Sequence, residues 1–206
     1  MIQPVVEGQG EEAAFPILLR RLVLELGCYM EIGSPVRSKR TQMVREEDFK
    51  RVARLASFKP GACAVLALFD ADDDCAITHI PDMTRWAQEA VPLMPSAIVM
   101  ARREYEAWFL AALESLRGKR GIHAEAAYEG DPEQVRGAKG VVSRTMPQNA
   151  PYSETADQPA LSAHFDLKAA YARAPSFRKL VKELCRVLEE LGQSPAIPPD
   201  WRGETA

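Results

Sequence analysis

The chain has 206 residues, 47% of them apolar and 27% charged, and carries a formal net charge of −3. These values fit one globular domain with a sizeable core, and they exclude a binder that holds nucleic acid by overall positive charge alone, though a local basic patch remains open. Four cysteines (Cys28, Cys63, Cys75 and Cys185) lack CxxC spacing, which argues for free thiols in a reducing compartment rather than a zinc site or disulfides. Glu7, Glu11 and Glu12 interrupt any secretory leader, and no apolar run approaches the roughly 18 residues of a membrane span. The expected location is the cytoplasm, without membrane association.

Ile2 to Val6 reads as an opening strand, followed by Glu7-Gly8-Gln9-Gly10-Glu11-Glu12. Phe15, Leu18, Leu19, Leu22 and Leu26 then recur at helical spacing over Ala13 to Leu26, with Gly27 as a stop. Proline is tolerated only in a first turn, so Pro16 predicts that the regular helix begins near Ala13 rather than at Gly10. Cys28 to Val36 predicts an edge-like strand, and Arg37, Ser38, Lys39 and Arg40 form a short basic cluster after it. Glu46 to Phe58 is a second helix with Phe49, Val52, Leu55 and Ala56 on one face. Ala62 to Phe69 is almost continuously apolar, as a strand buried on both faces of a parallel sheet would be. Asp70-Ala71-Asp72-Asp73-Asp74 follows it directly.

Ile77 to Val91 predicts a third helix whose start is set by Pro81, and Ala97 to Met100 a third buried strand. That strand runs into Arg102 to Leu110, read as the opening of another helix. Strands alternating with helices through short connections define a doubly wound α/β core over 1–116. Residues 117–160, rich in Gly, Pro and charge, read as a long loop or lid. Helices over Leu161 to Ala172 and Phe177 to Leu191 then make a C-terminal extension (161–192) packed on the core, and 193–206 is a Pro-rich tail.

The two acidic stretches carry the chemistry. Each follows a buried-type strand, and in open α/β sheets the carboxyl ends of the strands are where ligands bind. Neighbouring parallel strands would bring Glu7, Asp70 and Asp72 into one small volume, an unfavourable gathering of like charge unless a cation holds it. Taken singly, the stretches are explained as well by an acidic helix start and a solvated turn. No Gly-Lys-Ser/Thr follows the first, so it is not a phosphate loop, and Cys75 and Pro81 stand where a calcium loop counted from Asp70 needs Gly and Glu. Oxygen ligands without His or Cys select Mg²⁺ or Mn²⁺, ions that polarise phosphoryl groups, and phosphodiester chemistry is the natural assignment. His79, His123 and His164 are isolated and carry no ligand spacing.

Strand-Glu-Gly-x-x-Glu followed by strand-Asp-x-Asp resembles the TOPRIM domain of topoisomerases, primases and overcoming-lysogenisation-defect (OLD) nucleases. The closer resemblance is to small stand-alone TOPRIM-like bacterial proteins of unknown function, often encoded beside ATPase genes. It rests on Val6-Glu7-Gly8 with Glu11, Asp70-Ala71-Asp72, Glu104-Tyr105-Glu106-Ala107-Trp108-Phe109-Leu110, Lys139, Asp157-Gln158 and Ser176-Phe177. The resemblance implies a Rossmann-like TOPRIM fold with a mainly parallel sheet, with Glu7 as principal carboxylate, Glu11 as a second ligand and Asp70 and Asp72 on the cation. It implies Glu106 or Glu104 at a second metal position and Lys139 as a stabiliser of charge at phosphorus. The implied activity is Mg²⁺- or Mn²⁺-dependent cleavage of DNA, as the effector subunit of a phage-defence or DNA-repair system with an ATPase partner. Two rivals stand beside it: phosphotransfer on RNA or nucleotides, and a non-catalytic module that binds metal or nucleic acid. Oligomeric state is left open.

Overall fold

A computed structural model describes residues 1–71 and 76–203 of the chain. Asp72, Asp73 and Asp74, and with them one of the expected metal ligands, lie outside the described residues. Strands β1 (Ile2–Val6), β2 (Val36–Arg37), β3 (Ala64–Asp70) and β4 (Ser96–Ala101) form a four-stranded sheet in the order β2-β1-β3-β4, every pair parallel. Helix α1 (Gln9–Glu25) links β1 to β2, α2 (Arg40–Met43) and α3 (Glu46–Ser57) link β2 to β3, and α4 (Ala76–Ala90) links β3 to β4.

Alternation along the strands divides their side chains between two layers. Ile2, Val6, Leu66, Leu68 and Val99 join α1 and the C-terminal helices in the larger core. Val5, Val65, Ala67, Phe69, Ile98 and Met100 join Phe49, Val52, Met83 and Ala87 of α3 and α4 in the smaller one. With both faces covered, the strands need apolar residues at consecutive positions, which is why β3 and β4 read as unbroken apolar runs.

Pro4 sits in an interior strand, where a missing N–H would normally break the ladder. Ile2 exchanges backbone hydrogen bonds with Glu31 and Gly33, and the Val6 carbonyl accepts from Ser38. Pro4 therefore faces the same side, in the gap between the Ile2–Ile32 bridge and the start of β2. The Gln3 amide fills that gap by donating to Ser34 O at 2.5 Å. The expected strand over Cys28 to Val36 is consequently reduced to one bridge and two paired residues.

Other boundaries also differ from expectation. Helix α1 begins at Gln9, not Ala13, and carries Pro16 in its interior. Its first turn is held by Glu11, whose carboxylate accepts the Gly8 N–H at 2.9 Å, and burial of Phe15, Leu18, Leu19 and Leu22 offsets the hydrogen bond that Pro16 cannot make. Helix α4 starts before Pro81 and holds it inside. After β4, residues 102–106 turn rather than continue as helix, with Arg103 at φ 66°, and α5 spans only Ala107–Ala111 before a 3-10 turn at Leu113–Leu116.

Residues 117–160 are not structureless: α6 (Ala138–Arg144) and most of α7 (Glu154–Ser162) lie there, and α7 packs along α1. The predicted helix over Leu161 to Ala172 is split between α7 and α8 (Leu167–Arg173), and α9 (Pro175–Glu190) packs against β4. Arg21 of α1 ties the split, donating to Ser162 O at 2.8 Å and Phe165 O at 2.9 Å. In the tail, Trp201 is 9% exposed and its ring lies 5.5 Å from that of Tyr171. No helix among the described residues is long and apolar enough to cross a membrane.

Candidate active site

The connection leaving β1 runs to β2 on one side, while β3 lies on the other, so the point where the winding reverses falls between β1 and β3. Open α/β sheets form ligand crevices at this place, outside the carboxyl ends of the strands. Glu7 follows the last residue of β1 and Asp70 is the last residue of β3. Both line one pocket of about 180 Å³ with Gly8, Gly10, Glu11, Glu106, Lys139, Glu154 and Gln158.

Backbone contacts set the orientation of several of these groups. Asp70 Oδ1 accepts the Tyr105 N–H at 2.9 Å, which draws the turn after β4 across the strand end. Glu11 Oε2 accepts from the N–H groups of Glu7 (3.1 Å) and Gly8 (2.9 Å), so one of its oxygens is committed to the start of α1. The other expectation left open by the sequence concerned Glu104 and Glu106. Glu106 lines the pocket, 1% exposed, and accepts from the Tyr152 hydroxyl at 2.9 Å and Gln158 Nε2 at 3.4 Å. Glu104 instead accepts the Lys139 N–H at 2.9 Å and anchors the first turn of α6. The Lys139 ammonium is paired with the carboxylate of Glu154.

Charge defines this pocket. Five carboxylates (Glu7, Glu11, Asp70, Glu106 and Glu154) line it, against the single cation of Lys139 among its described residues. Burial pushes the Glu106 carboxyl up, the Tyr152 hydroxyl and Lys139 charge opposing it only in part. Burial also pushes Glu11 up to about 7 from an ordinary 4.5, reinforced by the charges of Glu7 and Glu106 and opposed by its two backbone donors.

A carboxyl raised in the folded state stabilises the fold while protonated. The Glu11 contribution is complete below pH 4.5 and is lost as pH rises through about 7. In EDTA, stability should therefore fall by about 3 kcal/mol across that window. Glu11→Gln, which keeps an acceptor for both N–H groups, should remove that part of the slope, leaving the same-signed slopes of Glu106 and Glu133. Urea unfolding of both chains at pH 5 and pH 8 measures it; parallel slopes would show that Glu11 is charged throughout.

The basic cluster lies at the same sheet edge. Arg40 donates to the backbone carbonyls of Asp70 and Ala71, and Arg37, paired at the sheet end with Val6, lies 3.5 Å from Glu12. Among the described residues, no three His, Cys, Asp or Glu side chains already converge as an ion cage. The donor chemistry nonetheless fits a hard divalent cation: all the anionic groups present oxygen, and the buried Gln158 Oε1 accepts no hydrogen bond from any described residue.

Tyr152, Glu154 and Gln158 were not among the expected site residues. Glu154 and Gln158 stand four apart on one face of α7, and Ser153, whose N–H donates to Asp157 Oδ2 at 2.8 Å, marks its start. That Ser-to-Asp helix-start signal is present in the sequence, masked by Pro151 and Pro159. The Glu104 to Leu110 stretch contributes mainly packing: Tyr105, Trp108, Phe109 and Leu110 are fully buried, and within it only Glu106 lines the pocket.

Fold and site together define an α/β protein with a parallel sheet and an acidic pocket at its topological switch point. Residues 6–185 match the family described as a domain of unknown function (DUF4276), and the chain belongs to that family. No curated protein and no solved structure gives a match.

Proposed function

We propose that this protein is a Mg²⁺- or Mn²⁺-dependent nuclease of TOPRIM type that hydrolyses DNA phosphodiester bonds. The observation that carries the proposal is the meeting of Glu7, Glu11, Asp70 and Glu106 in one small pocket at the switch point of a parallel sheet. Glu7, Asp70 and Asp72 would hold the cation, with Glu11 and Glu106 as further oxygen donors. When bound, such an ion polarises the phosphoryl group and stabilises charge developing on its oxygens.

The chain's own groups supply the rest. Glu7 takes a proton from the attacking water through its carboxylate as the water oxygen bonds to phosphorus and the bond to the leaving sugar oxygen breaks, that oxygen taking a proton from solvent. Lys139 Nζ would leave Glu154 for a phosphoryl oxygen, a reading supported by both residues lining the pocket in a pair that is about half exposed. Arg37 and Lys39, exposed at the same sheet edge, offer positive charge to a DNA backbone. An ATPase partner and a role in phage defence or repair follow from the TOPRIM-like resemblance alone. A binding module without turnover is the second reading, favoured by the pairing of Lys139 with Glu154, which holds that cation back from a phosphoryl oxygen.

The test is incubation with supercoiled plasmid in Mg²⁺, Mn²⁺ or EDTA, with and without an ATPase partner. Nicking that requires the metal is the expected result. No nicking in any combination would favour the module, and nicking that persists in EDTA would overturn the metal dependence.

A further inference from the structure

We infer that Gln158 of α7 is itself a ligand of the site, giving its side-chain oxygen to the divalent cation as the neutral member of an otherwise anionic set. This rests on the cation-binding reading above and extends it to an element outside the sheet domain.

Gln158 is 3% exposed and lines the carboxylate pocket. Its Nε2 donates to Glu106 Oε1 at 3.4 Å, which orients the amide so that the other end is the acceptor. That acceptor, Oε1, is buried and receives no hydrogen bond from any described residue. A buried amide oxygen left in this state is destabilising, so it is retained where something else meets it. Glu7, Glu11, Asp70 and Glu106 surround it with carboxyl oxygens, and the one ammonium among the described lining residues, Lys139, is held by Glu154. The facing helix is shaped for this group: a β-carbon on Gly10 would lie 2.2 Å from Gln158 Oε1 and 2.9 Å from the Glu154 backbone oxygen. Gly10 thus leaves space beside the strand end that the amide occupies. Hard divalent cations combine carboxylate with neutral amide oxygen in this way.

Mn²⁺ alone, titrated calorimetrically into the full chain, tests the assignment independently of any nuclease activity. Gln158→Leu removes the oxygen at similar volume and should weaken Mn²⁺ binding by about tenfold to hundredfold. Gln158→Glu keeps an oxygen, adds charge, and should bind Mn²⁺ at least as tightly as the parent, with a larger rise in Tm on adding the ion. The Glu variant carries the test if the Leu variant does not fold. Unchanged affinity in the Leu variant, or weakened affinity in the Glu variant, overturns the inference. Asp70→Ala separates the two levels: loss there with full binding in Gln158→Leu sinks Gln158 alone, whereas a parent chain that binds no Mn²⁺ sinks the metal site and Gln158 together.

Discussion

Glu7→Gln is expected to slow metal-dependent plasmid nicking by about 10²- to 10⁴-fold while DNA retention stays intact. Glu7 occupies the position between β1 and α1 where the parallel sheet delivers its strand end to the pocket. The amide matches the carboxylate in volume and removes its charge and its capacity to take a proton. The Glu7 backbone N–H, which donates to Glu11 at the start of α1, is untouched by the change. The variant should therefore fold as the parent does, and a kinetic loss reports chemistry. Nicking rates measured beside a gel-shift titration give the answer. Equal rates would remove Glu7 from the reaction, and joint loss of cutting and retention would make it a binding group.

Trp108→Ala is expected to cost about 3–5 kcal/mol of stability, a large share of what holds a domain folded. The indole is fully buried, with its ring 4.8 Å from Tyr105 and 5.3 Å, edge-on, from Phe177 of α9. Its Nε1 donates to Ser176 Oγ at 2.8 Å, and that hydroxyl donates in turn to Glu133 Oε1 at 2.5 Å. Ser176 N–H donates to the same carboxylate at 2.8 Å, so the 131–134 turn, the start of α9 and helix α5 meet at this indole. Truncation opens a cavity and strips Ser176 of its donor. A shift of the urea midpoint with an unchanged slope measures the loss. A cost below about 1 kcal/mol would mean that the C-terminal helices do not depend on this contact.

The same residue shows what a motif can and cannot say. Glu106-Ala107-Trp108-Phe109 is one of the stretches on which the resemblance rests, yet its aromatic members pack the core and leave only Glu106 to the pocket. Lys139, read as a lone loop cation, lies in the first turn of α6, held there by Glu104 and paired with Glu154. Spacing could not separate Glu104 from Glu106, because a turn with Arg103 at positive φ decides which carboxylate faces inward.

By itself the sequence determined the parallel α/β class and the placing of Glu7 and Asp70 at strand ends. Unbroken apolar runs belong to strands buried on both faces, and a carboxylate directly after such a run emerges at the carboxyl end of its strand. Only the tertiary structure decided that α7 closes the pocket. Tyr152 and Gln158 reach Glu106 across 46 and 52 residues of chain, and Gln158 fits only because Gly10 has no side chain. Contacts at that separation leave no periodicity in the chain, since they come from helix α7 lying along α1 rather than from any local preference of the residues that make them.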